Sequence, residues 1–595
     1  MESNIAKVLF VYYNELSEGF MPQGIAFLGG MLKQNGIKTK LFDTSFWKDN
    51  SSKVIENVRQ VGEKLGEYRK VEGFNPEREA VNIKEEFEKV VEKFRPDLIA
   101  ATATTYNFKP ILRFVNPIKK KMGIPLIVGG PHTTTSPESA IKEVDIICIG
   151  EGERPLLELV RRIKRKQDYY DIPSLWFRKD GRVIRNPIGP QIENLDELPE
   201  PDWDLFDERH RIRPFQGQLK NYGFFEISRG CPFSCSYCIN SSLHQMKCTD
   251  GKILGYYRYH SPKEFVRRIK KYKDQYGFNH VQFLDDNILA LPIEELRELS
   301  DLYKKDVGVG FFTMGRAEYL IRDPEKAKII KEMGCVMLAM GAESGNEELR
   351  KNILNRPMKN GVLEKAARLL REQGIKIALY NILGFPTETE EMIFDTIKLN
   401  YRIQPEQALM RFLRPFPGTL LRDYCVKKGY LLQDHEEKET FEQEMVLNLP
   451  SPPHMSKEGL KGLLLNFSNY VYHPMSFWRV IDLLRVENKL SASLKEKISN
   501  AFTFSKEFML RYKDISEEER KKLEIGPGDV AWTKKPERYI GYSKSLLLLV
   551  RLSEGLDEAE GDQELKRIIY SAFSEAYSFK EKDRILDRRI IDFPN

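Results

Sequence analysis

Short apolar runs recur through the first part of the chain at intervals too wide for hairpins. Ala6–Tyr12 (AKVLFVY), Ile37–Phe42, Asp97–Thr102, Pro125–Val128 and Asp145–Cys148 are such runs, with helix-patterned stretches between them. The first of those, Gln23–Asn35, stops at Gly36. Runs apolar on both faces and separated by helices predict a parallel sheet covered on both sides, a doubly wound α/β domain over 1–165. The long charged segment Ser51–Phe94 predicts two helices inserted before the third strand. From 166 to 220 the pattern breaks into a linker. Asp180-Gly181 between SLWFR and RVIRN marks a hairpin, and Pro187, Pro190, Pro199 and Pro201 interrupt regular structure. LDELPEPDWDLF (Leu195–Phe206) reads as a surface connector with Trp203 as its aromatic anchor.

A second series occupies 221–422. After the hydrophobic run at Phe224 come His280–Leu284, Gly310–Met314, Val336–Met340, Lys376–Tyr380 and Ala408–Phe412. The last five run into Asp285-Asp286-Asn287, Gly315-Arg316, GAESG (Gly341–Gly345), NILGFPTET (Asn381–Thr389) and RPFPGT (Arg414–Thr419). Ser261 before Pro262 and Glu264 predicts a capped helix that ends at Gly277. Six β/α units with polar or glycine-rich strand ends predict a (β/α)6 partial barrel, whose chemistry collects at that rim. From 423 to 595 the chain reads as mainly helical, with a helix pattern over Ser456–Tyr470 and further helices within Ser545–Gly555 and Leu565–Tyr577. The aromatics Phe467, Tyr470, Tyr472, Phe477 and Trp478 either roof an apolar substrate or cover the barrel's open edge.

Composition narrows the class. A chain of 595 residues exceeds a single core. The net charge of +6 is too small for its length to argue for nucleic acid, and none is expected as a partner. No stretch approaches the roughly 18 apolar residues of a spanning helix, and MESNIAKVLFVYY leads into a strand rather than resembling a secretory signal. Seven cysteines, three of them grouped, do not form a disulfide framework, so a reducing cytoplasm is expected.

The grouped cysteines carry the chemistry. FFEISRGCPFSCSYCIN (Phe224–Asn240) places Cys231, Cys235 and Cys238 in the spacing C-x3-C-x2-C. Soft thiolates select an iron–sulfur cluster or zinc. A structural zinc wants a fourth ligand, and His244 and Cys248 follow closely enough to keep zinc open. Upstream, Gly129-Gly130-Pro131-His132 and Gly150-Glu151-Gly152-Glu153 follow strands, at the edge where open α/β sheets bind ligands. Glycine there permits close backbone approach to a large ligand, although each loop is equally a plain tight turn.

C-x3-C-x2-C after a strand, with Tyr237 before the last cysteine, resembles the signature of the radical S-adenosylmethionine (SAM) superfamily. The resemblance implies a [4Fe–4S] cluster on Cys231, Cys235 and Cys238, whose open iron chelates SAM. One electron then cleaves SAM to methionine and a 5′-deoxyadenosyl radical. Carried along the rim, it places Asp285, Asp286 and Asn287 at the SAM amino group, where they replace the usual Gly-Gly-Glu with other oxygen acceptors. Arg316 falls at the SAM carboxylate, Glu343 and Ser344 at ribose or methionine groups, and Gly384 and Phe385 at the adenine.

PQGIAFLGGMLKQNG (Pro22–Gly36), VGGPHTTTSPE (Val128–Glu138) and IGEGE (Ile149–Glu153) resemble the cobalamin-binding domain that precedes many radical SAM domains. This implies cofactor contacts at Gln23, Gly24, Gly129, Gly130, Pro131, His132, Gly150, Glu151, Gly152 and Glu153. The family's D-x-H-x-x-G motif is absent, and DTSFWKD stands around Asp43. Cobalamin is therefore expected base-off, with no histidine on its lower face, and His132 is not assigned as a cobalt ligand.

The combination implies a cobalamin-dependent radical SAM methyltransferase acting on an unactivated carbon. The alternative is a cyclase, ring-rearranging or oxidising enzyme of the same architecture, as in anaerobic magnesium-protoporphyrin cyclases. A methylthiotransferase normally adds three clustered cysteines upstream, where only Cys148 stands. Implied partners are a reductant such as flavodoxin or ferredoxin and a small-molecule, lipid or peptide substrate. Peripheral membrane contact stays open for a lipid.

Overall fold

Alternation along the first strand sorts its side chains. Leu9 and Val11 join Phe42, Phe87, Ile99, Ile111, Phe114 and Val115 in one buried cluster, while Phe10 points to the opposite face. The sheet is thus covered twice. The computed structural model describes residues 5–14, 21–49, 79–431 and 454–473, with positions 447, 449, 475, 478, 481, 482, 498, 499 and 502. Most of the segment predicted to carry two inserted helices lies outside these residues; its last part forms the helix Ile83–Phe94, capped by Asn82. The helices predicted within Ser545–Gly555 and Leu565–Tyr577, and Phe477, also lie outside. The chain divides into two compact units, Met1–Pro386 with Arg411–Leu449, and Thr387–Met410 with Pro450–Asn595.

In the first unit, β1 (Lys7–Tyr12), β2 (Lys38–Asp43), a small parallel pair β3 (Trp47–Asp49) and β4 (Glu79–Val81), then β5 (Leu98–Thr102), β6 (Leu126–Gly129) and β7 (Ile146–Cys148) appear in chain order. The hairpin β8 (Leu175–Lys179) and β9 (Arg182–Arg185) follows. Its turn residues Asp180 and Gly181 both have positive φ, as the Asp-Gly signal requires. The sheet order is β2-β1-β5-β6-β7-β8-β9, parallel through β7 and antiparallel across the hairpin. The order reverses between β1 and β5, which opens a crevice at their carboxyl ends.

A second sheet follows: β10 (Ile212–Phe215), β11 (Gln218–Phe225), a short antiparallel pair β12 (Ser228–Arg229) and β13 (Arg258–Tyr259), β14 (His280–Phe283), β15 (Gly310–Met314), β16 (Cys335–Glu343) and β17 (Lys376–Leu383). Strands β11, β14, β15, β16 and β17 pair in parallel in that order and form a partial barrel, with β10 antiparallel on the outer edge of β11. The helix Pro262–Tyr276 is capped by Ser261 as predicted. Glu264 does not complete a capping box. Its carboxylate pairs with Arg267 and Arg268, and the Ser261 amide goes to Asp196.

The segment Leu195–Phe206, expected at the surface, is buried at Leu195, Leu198, Asp202 and Trp203. Trp203 packs among Phe225, Tyr272 and Tyr276. Its backbone lies so close to the helix Gln23–Gln34 that a Cβ on Gly30 would sit 1.9 Å from the Glu200 carbonyl oxygen. Gly30→Ala is therefore expected to destabilise the protein by about 1–3 kcal/mol, as overpacking does. Gly24→Ala, with no atom within 4 Å of the added carbon, should leave thermal unfolding unchanged. Calorimetry on the two variants checks the contrast.

The second unit contains the helices Glu390–Ile403 and Lys457–Tyr472, packed on each other and capped by Thr389 and Ser456. Strand β18 (Gln407–Phe412) follows the first of these helices in the chain. Phe467 and Tyr470 are buried, and Tyr470 and Trp478 pack on Phe394. Tyr472 accepts the Ala408 amide at 2.8 Å. Among the described residues no helix is long and apolar enough to cross a membrane.

Candidate functional site

The cysteine loop hangs from the β12–β13 pair. Gly230 turns the chain out of β12 at φ +85°, and a Cβ there would meet the Gly255 oxygen at 2.3 Å, so only glycine fits. The loop is tied down by the Ser236 amide on Leu354 O (3.0 Å) and by the Asn355 side chain on Ser234 O (2.9 Å). Cys235 is buried, and Cys231 and Cys238 are half-buried. Burial pushes the Cys231 and Cys238 thiols up to about 11, so loading a soft metal there releases protons. For the zinc alternative the nearby candidates are His244, whose buried Nε2 has no hydrogen-bond partner among the described residues, and Cys248. His244 is bonded through Nδ1 to Ser234 Oγ at 2.8 Å, and buried Cys248 faces Asp250, Glu151 and Arg258. Among the described residues no group of His, Cys, Asp and Glu is arranged to hold a single metal ion.

Around the thiols the rim residues divide by direction. Asp285 is 1% exposed and turns inward, accepting the Ile227 amide (3.2 Å), the Ser228 amide (2.6 Å) and the Ser228 hydroxyl. Burial outweighs these donors and raises its carboxyl to about 7. Asp286 faces the open side, accepts from Asn240 Nδ2 at 3.0 Å, and is also raised by burial. Asn287 is fully buried. Its oxygen accepts the Arg316 amide at 3.0 Å, and its Nδ2 has no partner among the described residues. The Arg316 guanidinium lies over the Phe233 ring at 3.6 Å and donates to Cys235 Sγ at 3.2 Å, while Glu318 holds the rest of its fork.

A register shift in β16 at Gly341–Glu343 puts Glu343 at φ +61° and aims its carboxylate at the loop. There it accepts from Tyr237 Oη at 2.9 Å. Burial raises Glu343 against the pull of Arg356. Two buried arginines absent from the predicted set attend it. Arg356 donates to Gly341 O at 2.6 Å, with its Nε unpartnered, and Arg350 donates to Asn360 Oδ1 at 2.6 Å, with Nε and Nη1 unpartnered. Buried guanidinium donors without partners among the described residues, those of Arg356 in electrostatic reach of Cys235, suit an anionic ligand group. Ser344 is buried and accepts the Asn346 amide; Gly384 (φ +83°) and buried Phe385 follow β17 at the same rim.

The glycine loops of the first sheet form the opposite wall. Thr134 links them, donating to Gly130 O (2.9 Å) and accepting the Gly150 amide (3.1 Å). A Cβ on Gly130 (φ +101°) would lie 2.9 Å from Ala103 O. Between the walls is one cavity of about 490 Å³. Gly24, Gly129, Gly130, Pro131, Gly150, Glu151, Gly152 and Glu153 line one side, and Gly230, Asn240 and Asp286 the other. Gln23 and His132 stay outside the lining. Gln23 is buried near Met21 O, and His132 packs on Phe108 at 4.4 Å. The lining also contains Glu226, Arg229 and Arg258. Sequence reasoning missed them, although a cation directly before Gly230-Cys231 in an apolar strand was a visible signal.

The residues 225–399 match the Radical SAM superfamily, and 67–160 match the B12 binding domain. The chain therefore carries a radical SAM domain and a B12-binding domain. This radical SAM enzyme is 28% identical over 358 residues to an uncharacterized methyltransferase of Pyrococcus horikoshii, covering 59% of this chain and 74% of that protein. It is 24% identical over 428 residues to the anaerobic magnesium-protoporphyrin IX monomethyl ester cyclase of Rubrivivax gelatinosus, covering 69% and 68%. Among solved structures it resembles the cobalamin-dependent SAM radical enzyme OxsB (TM-score 0.57, 15% identity, 96% of this chain and 84% of that one). It also resembles the radical SAM methyltransferase TsrM of Kitasatospora setae (TM-score 0.53, 17% identity, 71% and 78%). At these identities the structural likeness concerns the fold.

Proposed function

We propose that this chain is a cobalamin-dependent radical SAM methyltransferase acting on an unactivated carbon. One observation carries the reading: a single cavity has the glycine loops of the B12-binding domain on one wall and the rim beside the cysteine loop on the other. The residues fit both implied groups. Three thiols in one loop are a donor set for a cluster, and a Cβ on Gly24 would meet no atom within 4 Å beyond its chain neighbours and its own helix backbone. When bound, the cluster supplies an electron for SAM cleavage and cobalamin supplies a methyl carrier.

Each residue then has a task. Cys231, Cys235 and Cys238 would hold the cluster. Asp286 accepts from the SAM ammonium, and Arg316, positioned by Glu318 and Phe233, receives the carboxylate. Glu343 with Tyr237 meets the ribose, Ser344 the ribose or methionine portion, and Gly384 with Phe385 the adenine. Gly24, Gly129, Gly130, Pro131, Gly150 and Gly152 would let a corrin approach the backbone, and no histidine is among the residues that line the cavity. Apposing the two walls supplies the proximity a transfer between them requires. The electron comes from an external reductant of the flavodoxin or ferredoxin kind. A reducing cytoplasm suits the seven free cysteines.

Anaerobic reconstitution with iron, sulfide, cobalamin and SAM, followed by mass spectrometry of candidate substrates, tests the reading. A gain of one CH2 is expected. The relative named as a cyclase favours the second reading, in which the product loses hydrogens or keeps its mass with a new ring.

A further inference from the structure

The ribbon that leads into the cysteine loop is ion-paired to the B12-binding domain. Arg229 on β12 and Arg258 on β13 stand directly across from each other. Both reach Glu151, at 3.3 Å from Arg229 Nη1 and 2.7 Å from Arg258 Nη2, and Arg229 Nη1 lies 2.8 Å from Glu153. Arg229 Nε also pairs with Glu226 at 2.9 Å, and Arg258 Nη1 donates to Ile192 O at 2.5 Å. Phe27 and Tyr256 offer ring faces to the two guanidiniums at 5.2 and 4.9 Å. The group is largely withdrawn from water: the Arg258 side chain is 5% exposed, Glu153 5% and Arg229 14%. Burial alone would raise Glu151, yet the two arginines hold it below the usual carboxylate range.

Bonds of this kind leave the two glutamates little freedom to serve a ligand. Their carboxylates are spent on the opposite wall, and the Ile192 amide takes a further Glu151 oxygen at 3.0 Å. Arg229 sits two residues before Cys231, so any play in this contact is transmitted to the cluster loop. We propose that Arg229, Arg258, Glu151 and Glu153 form a clamp that sets the separation between the cysteine loop and the glycine-loop wall. They are positioning residues for transfer across the cavity and not cofactor ligands. This rests on the proposed function for its purpose, but the clamp itself has a test independent of either cofactor.

The test has two arms. In the unloaded full chain, hydrogen exchange of 149–153 and 226–231 is followed in Arg229→Gln, Glu153→Gln, the double variant and Arg229→Lys. Each single Gln variant is expected to speed exchange in both segments together by about tenfold, since sub-global opening is cooperative. The effects in the double variant should be less than additive, because Arg229 and Glu153 pair with each other and removing the second partner breaks no further bond between them. Arg229→Lys should restore much of the protection. The double variant also keeps the test open if a single variant does not fold. Exchange that rises only in the mutated segment, or additive effects in the double variant, would overturn the clamp.

In the second arm the chain is loaded with cobalamin and a reduced cluster, and the magnetic interaction between cob(II)alamin and the cluster is read by EPR. Arg229→Gln and Glu151→Gln are expected to retain both cofactors and to weaken or broaden that interaction. Loss of cobalamin from Glu151→Gln with retention in Arg258→Gln would make Glu151 a ligand and sink the proposal. Wild type that takes up no cobalamin contradicts the proposed function instead, while the exchange arm still decides on the clamp.

Discussion

Cys235→Ala is expected to abolish reductive SAM cleavage, by about 10³-fold or more, which is about 4 kcal/mol of barrier. Cys235 is the buried member of the three thiols and the one that Arg316 contacts through sulfur. Removing it takes away one ligand and leaves the guanidinium facing a methyl group. The folded chain should survive, because the loop's bonds from the Ser236 and Cys238 amides and from the Asn355 side chain do not use the thiol. Iron content, the visible spectrum and 5′-deoxyadenosine formation from SAM check the result on one sample. Cleavage at the wild-type rate would exclude a cluster held by Cys231, Cys235 and Cys238. Cys248→Ala serves as the control, since that buried thiol faces Glu151 and Arg258 and should keep both iron and activity.

Local signals in the sequence were reliable where the physics is local. Strands β1, β5, β6 and β7 were legible because they are apolar on both faces. The Asp180-Gly181 turn and the Ser261 cap were legible because their chemistry lies within four residues. The connector was misread as surface because Asp202 and Trp203 are buried by the distant helices Gln23–Gln34 and Pro262–Tyr276. Nothing in its own composition shows that Gly30 clears a path for it. The site divides the same way. A motif of three cysteines within eight residues announces itself, whereas the Arg258–Glu151 pair spans 107 positions and joins a two-residue strand to a loop. Neither piece is long enough to carry a period. Arg350 and Arg356 escaped for another reason: charged residues on a helix and in the loop after it read as solvated until burial is known.

Asp285 separates a structural from a ligand-binding role at the rim, through pH. Its folded carboxyl titrates near about 7 because of burial, whereas a free aspartate titrates near about 3.9. Between these values the folded chain holds a proton that the unfolded chain has released. Stability contributed by Asp285 is therefore full below about pH 4, and it falls as pH rises through about 7. Asp285→Asn is expected to flatten that part of the pH–stability profile, since an amide has no proton to lose there. Asp285→Ala is expected to be worse at every pH. It strands the buried Ile227 and Ser228 amides and the Ser228 hydroxyl, at about 1–3 kcal/mol for each unpaired group. Those donors begin the ribbon that carries Gly230 and Cys231, so Asp285→Ala should lose iron on desalting as well as melting temperature. Asp286→Ala, one residue on and facing the cavity, should keep both and weaken SAM binding instead. If Asp285→Ala kept its iron and its melting temperature while SAM affinity fell, Asp285 and not Asp286 would be the residue that meets the SAM ammonium.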